Sequence, residues 1–94
     1  MPGATRDTPD PWPASGPLMP LAMARPGETV ELVSVRGGMG LHRRLAEMGL
    51  GPGTRFTVET CGRPGPFIIH VKGSRLILGH GMVRRIFVRP VRQQ

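Results

Sequence analysis

The 94-residue chain has no tyrosine, one tryptophan, one cysteine, one lysine and only six carboxylates. With Cys61 alone no intramolecular disulfide can form, so the small secreted scaffolds held by disulfides are excluded and a reducing cytoplasm is the natural setting. No apolar run approaches the roughly 20 residues that cross a bilayer as a helix; runs such as Phe67-Ile68-Ile69 are strand-sized. The first residues contain no apolar signal core, and the chain reads as a soluble, untargeted, cytoplasmic protein. Past residue 18 the aromatic residues are Phe56, Phe67 and Phe87, few for the stacking platforms that single-stranded nucleic acid requires.

Catalytic constellations are missing as well. Asp7 and Asp10 lie near the N-terminus, and Glu28, Glu31, Glu47 and Glu59 have no spacing that pairs them for acid/base work. Gly38-Met39-Gly40 opens like a phosphate loop, yet Arg43 stands where the third glycine belongs and no Gly-Lys-Ser or Gly-Lys-Thr occurs. Ser34 and Ser74 sit in no nucleophile-elbow context, and Cys61 has no histidine beside it in sequence. The chain is not expected to be an enzyme.

What is abundant is arginine. The formal net charge is +7, from 13 basic and 6 acidic residues, and from Arg25 onward it is +8. With 14 glycines and 11 prolines, the arginine content is explained as well by a GC-rich coding sequence as by a selected basic surface. A basic surface favours acidic partners, whether nucleic acid, anionic lipid or an acidic protein face, without choosing among them.

Ninety-four residues make one small domain. Residues 1–18, rich in Pro, Ser, Thr, Gly and Asp with Trp12 as their bulky group, are expected to be disordered, because they cannot bury enough apolar surface to offset the entropy of ordering. The folded domain is placed at 19–90 and a C-terminal tail at 91–94. Arg25-Pro26-Gly27-Glu28 reads as a turn and Thr29 to Arg36 as a strand rich in β-branched residues. Gly37 to Gly40 leads into a short helix, Leu41 to Met48. At about 100° per residue Leu41, Leu45 and Met48 share one apolar stripe, with Arg43 and Glu47 nearly opposite it. Gly49 is expected in the left-handed conformation just past the helix, bringing Leu50 back onto Leu45. Pro52 blocks continuation of the helix and Gly53 permits a turn.

Arg55 to Cys61 alternates, with Phe56, Val58 and Thr60 on one face and Thr57, Glu59 and Cys61 on the other. After the loop Gly62 to Pro66, the strand Phe67 to Lys72 directs Phe67, Ile69 and Val71 inward and His70 and Lys72 outward. Gly73-Ser74 reads as a two-residue hairpin turn with glycine first. A strand Arg75 to Leu78, one helical turn and a last strand Ile86 to Arg89 complete the chain. Five short strands with one helix after the first, joined by brief connections, describe a mainly β, small closed barrel.

His42, Cys61, His70 and His80 are the soft or borderline metal ligands. None falls in a paired spacing such as Cys-x-x-Cys; Cys61 and His70 flank one hairpin and face outward in this reading. No cofactor is required, and weak transition-metal binding is the most these residues imply. Arg43 stands one turn before Glu47 and can pair with it, while Arg44 can lay its stem along the apolar edge. Arg75, Arg84, Arg85, Arg89 and Arg92 form a second basic group that could follow phosphates.

Taken in order, Leu-Met-Pro-Leu (18 to 21), Arg-Pro-Gly-Glu (25 to 28), Val-Arg-Gly-Gly (35 to 38), Arg-Arg-Leu-Ala-Glu-Met-Gly-Leu-Gly-Pro-Gly (43 to 53), Gly-Pro (65 and 66), Gly-Ser-Arg-Leu-Ile-Leu (73 to 78) and Ile-Phe-Val (86 to 88) resemble the FeoA family of bacterial ferrous iron uptake. The resemblance implies an SH3-like barrel that is not an enzyme. It implies a cytoplasmic accessory protein acting by contact with FeoB, the membrane ferrous transporter with a cytoplasmic GTP-binding domain, at the inner face of the membrane. Arg43, Arg44, Leu45, Met48 and Leu50 match the helix-and-turn block and are the expected partner-binding residues; Gly49, Pro52 and Gly53 are its structural turn. Ile77, Gly79 and Val83 depart from the family pattern, and Gly79 and Gly81 weaken the expectation of a last helical turn. The same barrel occurs as the C-terminal module of metal-dependent repressors, but the chain lacks their winged-helix reader, so no DNA target is expected. A basic small barrel that binds nucleic acid is the alternative function. A homo-oligomer is left open.

Overall fold

In the computed structural model of the chain, residues 16–62 and 65–91 are described. Trp12 and the expected disorder of the first fifteen residues lie outside that range, as does Arg92. Six strands form one antiparallel sheet: β1 Met19–Pro20, β2 Thr29–Val35, β3 Arg55–Cys61, β4 Phe67–Val71, β5 Ser74–Leu78 and β6 Ile86–Pro90, in the spatial order β1-β6-β2-β3-β4-β5. A single 3₁₀ turn, Leu21–Met23, follows β1. The helix α1, Met39–Glu47, joins β2 to β3, and the one-turn helix α2, His80–Val83, joins β5 to β6.

The mainly β, SH3-like architecture expected from the sequence is the one observed, with α1 after the first long strand. The sheet is not closed by backbone pairing: β1 and β5 stand at its two ends. α2 does form, despite its two glycines, because the Met82 and Val83 amides both donate to the Gly79 carbonyl (3.0 and 3.2 Å) and Val83 is buried beneath it.

One apolar core fills the concave side. It is built from Leu21, Val30, Leu32, Leu45, Leu50, Phe56, Val58, Phe67, Ile69, Leu78, Ile86 and Val88, among others, and none of the described polar or charged residues is buried with them. Val91, placed in the tail by sequence, belongs to the fold; its amide donates to the Thr29 carbonyl at 2.9 Å and its side chain is buried.

Two Pro-Gly turns clamp the ends of the β2–β3 pair. In Arg25-Pro26-Gly27-Glu28 the Glu28 amide donates to the Arg25 carbonyl (3.1 Å), and Gly27 has φ +87°. In Gly51-Pro52-Gly53-Thr54 the Thr54 amide donates to Gly51 (3.0 Å), and Gly53 has φ +92°. Proline in the second place and a positive-φ glycine in the third is the type II pattern. Each turn then bonds the opposite strand, Gly27 to Val58 and Gly53 to Leu32.

Two features differ from the expected register. The β4–β5 hairpin turns at Lys72-Gly73, one residue earlier than expected, with Val71 opposite Ser74. Both turn residues have positive φ, +50° and +81°, the type I′ geometry whose twist matches the strands. In β3 a bulge falls between Val58 and Thr60, leaving Glu59 as the extra residue. The bulge reverses the alternation: Thr60 pairs with Ile68 on the outer face and Cys61 pairs with the buried Phe67. Cys61 therefore lies on the core side, and His70, opposite Thr57, on the outer side.

Candidate partner-binding surface

The surface around α1 follows from how the helix ends. Gly49 has φ +85°. Its amide donates to Ala46 (3.0 Å), and the Leu50 amide reaches back to Leu45 (2.8 Å). This is the paired bonding of a Schellman end, with Leu45 and Leu50 in the positions where the two side chains meet. Both leucines are 1% exposed. Thr54 Oγ1 completes the turn, accepting from the Gly51 amide (3.2 Å) and donating to the Gly49 carbonyl (3.4 Å).

The five residues expected to contact a partner thus divide. Leu45 and Leu50 are core, and a partner approaching the folded molecule cannot reach them. Met48 is half-buried, and Arg43 and Arg44 are exposed. Arg44, one turn before Met48, flanks its edge, while Arg43 points nearly opposite that apolar stripe, with the leucines as the foundation of both. The ion pair open to Arg43 and Glu47 by their spacing is not among those the described residues make. At the start of α1 stands Met39, 77% exposed, one turn before Arg43.

The remaining charges behave differently. On the outer face of β3, β4 and β5 the Glu59 carboxylate is held by Arg75 through two bonds, Nε to Oε1 at 3.0 Å and Nη2 to Oε2 at 2.8 Å, and by a short bond with His70 Nε2. Desolvation pushes the Glu59 pKa upward, but the hydrogen bonds from His70 and Arg75 outweigh it and hold the carboxyl below its ordinary value. The bulge makes this possible, since it re-aims Glu59 toward two neighbouring strands. Arg55 likewise bonds Glu31 at 3.0 Å. Arg36 covers the Phe87 ring, its guanidinium carbon 4.8 Å from the centroid, and its amide donates to the Arg85 carbonyl. The second basic group is therefore partly used within the fold, with Arg75 tied to Glu59.

Beside these surfaces a shallow groove of about 160 Å³ is lined by Ala22, Cys61, Phe67, His80 and Arg84 among others, and a second of about 200 Å³ shares Cys61 with Met23 and Arg25. Cys61 thus lines a groove with His80 and lies on the opposite face of the sheet from His70, the consequence of the Glu59 bulge. Among the described residues no group of three or more His, Cys, Asp or Glu side chains is placed to hold a metal ion. No helix among them is long and apolar enough to cross a membrane.

Comparison with known proteins agrees with this geometry. A curated relative, a Methanocaldococcus jannaschii protein assigned as a candidate Fe(2+) transport protein A, is 37% identical over 71 residues, covering 76% of this chain and 85% of that protein. A crystal structure of an iron uptake regulatory protein, FeoA, superposes with a TM-score of 0.72 at 36% identity, over 78% of this chain and 97% of that one. A manganese-dependent transcriptional repressor shares the fold alone, at TM-score 0.72 and 20% identity, over 81% of this chain and 38% of its own. The FeoA domain model matches residues 19–90, and the chain belongs to the FeoA family.

Proposed function

We propose that the protein is a non-enzymatic accessory factor of ferrous iron uptake that acts by binding the cytoplasmic part of the FeoB membrane transporter. The observation that carries this reading is the α1 surface within a FeoA domain: Arg43 and Arg44 stand exposed with no carboxylate partner among the described residues, on a helix whose inner side is locked into the core by the Leu45–Gly49–Leu50 end. Such a helix presents charge on a rigid support, which costs little conformational entropy when a partner orders it. An acidic face on the transporter's cytoplasmic region would meet these guanidinium groups. The two arginines steer approach and fix register, and Met48 supplies the adjacent apolar contact. No step of chemistry is needed, in keeping with the lack of paired carboxylates in the sequence.

The test is binding of the purified protein to the FeoB cytoplasmic region of the same organism, with an RNA oligonucleotide as parallel ligand at low and moderate salt. Saturable binding to FeoB that persists at moderate salt supports the adaptor role. Binding to RNA alone, weakening steeply with salt, would replace it with the nucleic-acid reading.

A further inference from the structure

The two ends of the open sheet are unequally guarded. β1 is two residues long and contains Pro20, two of the devices that stop an edge from recruiting another strand. β5 has five residues, no proline, and an unbroken register with β4 from Val71–Ser74 to Phe67–Leu78. Among the described residues it pairs with β4 alone, so its far side carries free amides and carbonyls. Ile77 on the outer face is 69% exposed and stands opposite Ile68. Leu76 faces the core side, and as an edge residue it is only half-buried, packed against the core cluster.

We propose that β5 is a homodimerisation edge: two copies pair antiparallel through β5, about a two-fold axis at Leu76, to form a continuous sheet. The strand is self-complementary in that register. Leu76 meets the partner's Leu76, and each covers the other's exposed half. Arg75 falls opposite the partner's Ile77, and Ile77 opposite the partner's Arg75, so the guanidinium stem lies along an aliphatic side chain. The two Arg75 groups are kept diagonal to each other, and each is already neutralised by its own Glu59. A two-fold axis at Arg75 would instead set like charges face to face, which is unfavourable. Placing Leu76 on the axis therefore satisfies both the apolar and the charged residues. Pairing of five-residue strands buries less than the roughly 1,200 Å² of a stable interface, so the dimer is a weak one that forms as concentration rises. The pairing leaves the α1 surface, on the connection between β2 and β3, outside the interface.

Sedimentation velocity of the full chain across a concentration series, from micromolar to near-millimolar, tests this together with amide hydrogen exchange at both extremes. A monomer–dimer equilibrium is expected, with the β5 amides that do not bond β4 exchanging several-fold more slowly at high concentration. Ile77→Lys, at an exposed position that leaves the core untouched, should shift the equilibrium at least tenfold toward monomer with an unchanged circular-dichroism spectrum. Arg75→Ala leaves Leu76 and Ile77 in place and should retain the dimer. A monomer at every concentration overturns the proposal. So does a dimer unaffected by Ile77→Lys, or one whose β5 amides exchange no more slowly than in the monomer.

Discussion

The α1 region and the β3–β4–β5 region carry similar numbers of charged side chains and use them in opposite ways. On the strands, Glu59 gathers Arg75 and His70, and Glu31 of the adjoining β2 holds Arg55, so most of these charges are satisfied within the fold. On α1, Arg43 and Arg44 have no carboxylate partner among the described residues, while the residues beneath them, Leu45 and Leu50, are among the most buried of these. A cation consumed by a neighbouring strand stabilises little when exposed and has little left to offer a partner. A cation standing free on a well-anchored helix is available for recognition. Within the eleven-residue block of residues 43–53, buried leucines form the foundation and exposed arginines the proposed contact surface.

The comparison can be broken most severely at the foundation. Leu45→Ala removes a core side chain from the meeting point of α1, the turn and the sheet, and should destabilise the protein by about 2–5 kcal/mol, read as a lowered urea midpoint. Partner binding would then fall only as far as folding does. Gly49→Ala should cost about 1–2 kcal/mol. An added Cβ there meets no atom within 4 Å, so the cost is the left-handed backbone and not a clash. Thr54→Val, which deletes both bonds made by the hydroxyl in the turn, should cost about 1 kcal/mol by the same measurement.

The smallest effect belongs to the paired region. The folded-state pKa of Glu59 lies below its ordinary value, so its contribution to stability is present above the unfolded carboxyl pKa and is lost as pH falls through the lowered folded value. Glu59→Gln should therefore lower the urea midpoint slightly at neutral pH, and the gap from wild type should close in acid. A gap that widens in acid would contradict the assigned direction.

Much of the foundation was legible because it rests on local rules. Leu45, Gly49 and Leu50 announce a helix end through residue type and spacing. Pro26-Gly27 and Pro52-Gly53 announce their turns in the same way, and the alternation of Phe67, Ile69 and Val71 announces an inward face. What escaped depends on partners distant in sequence. The bulge at Glu59 adds one residue to β3 and is visible only against the register of β4; plain alternation sets Thr60 on the face of Phe56 and Val58 and turns Cys61 outward, and the bulge exchanges those two faces. β1 is two residues next to a proline and exists as a strand only through its pairing with β6. The hairpin turn slipped by one residue because a positive φ at Lys72 is not announced by lysine, whereas Gly73 fits either placement. In the contact surface, the helical wheel had already placed Leu45 with the core. The grouping of Leu45 and Leu50 with the arginines came from family resemblance, which marks a block without separating its buried side from its exposed one.

In the proposed mode of binding, Arg43 and Arg44 contact the partner and the leucines beneath them support. The most direct test is the affinity of an Arg43→Glu, Arg44→Glu double variant for the FeoB cytoplasmic region, measured beside wild type with the urea midpoint of each. The expected result is a stability within about 0.5 kcal/mol of wild type, as for surface substitutions, and binding weakened by about tenfold or more, equivalent to roughly 1.4 kcal/mol. Undiminished affinity in a stably folded double variant would contradict it and remove the α1 arginines as the contact.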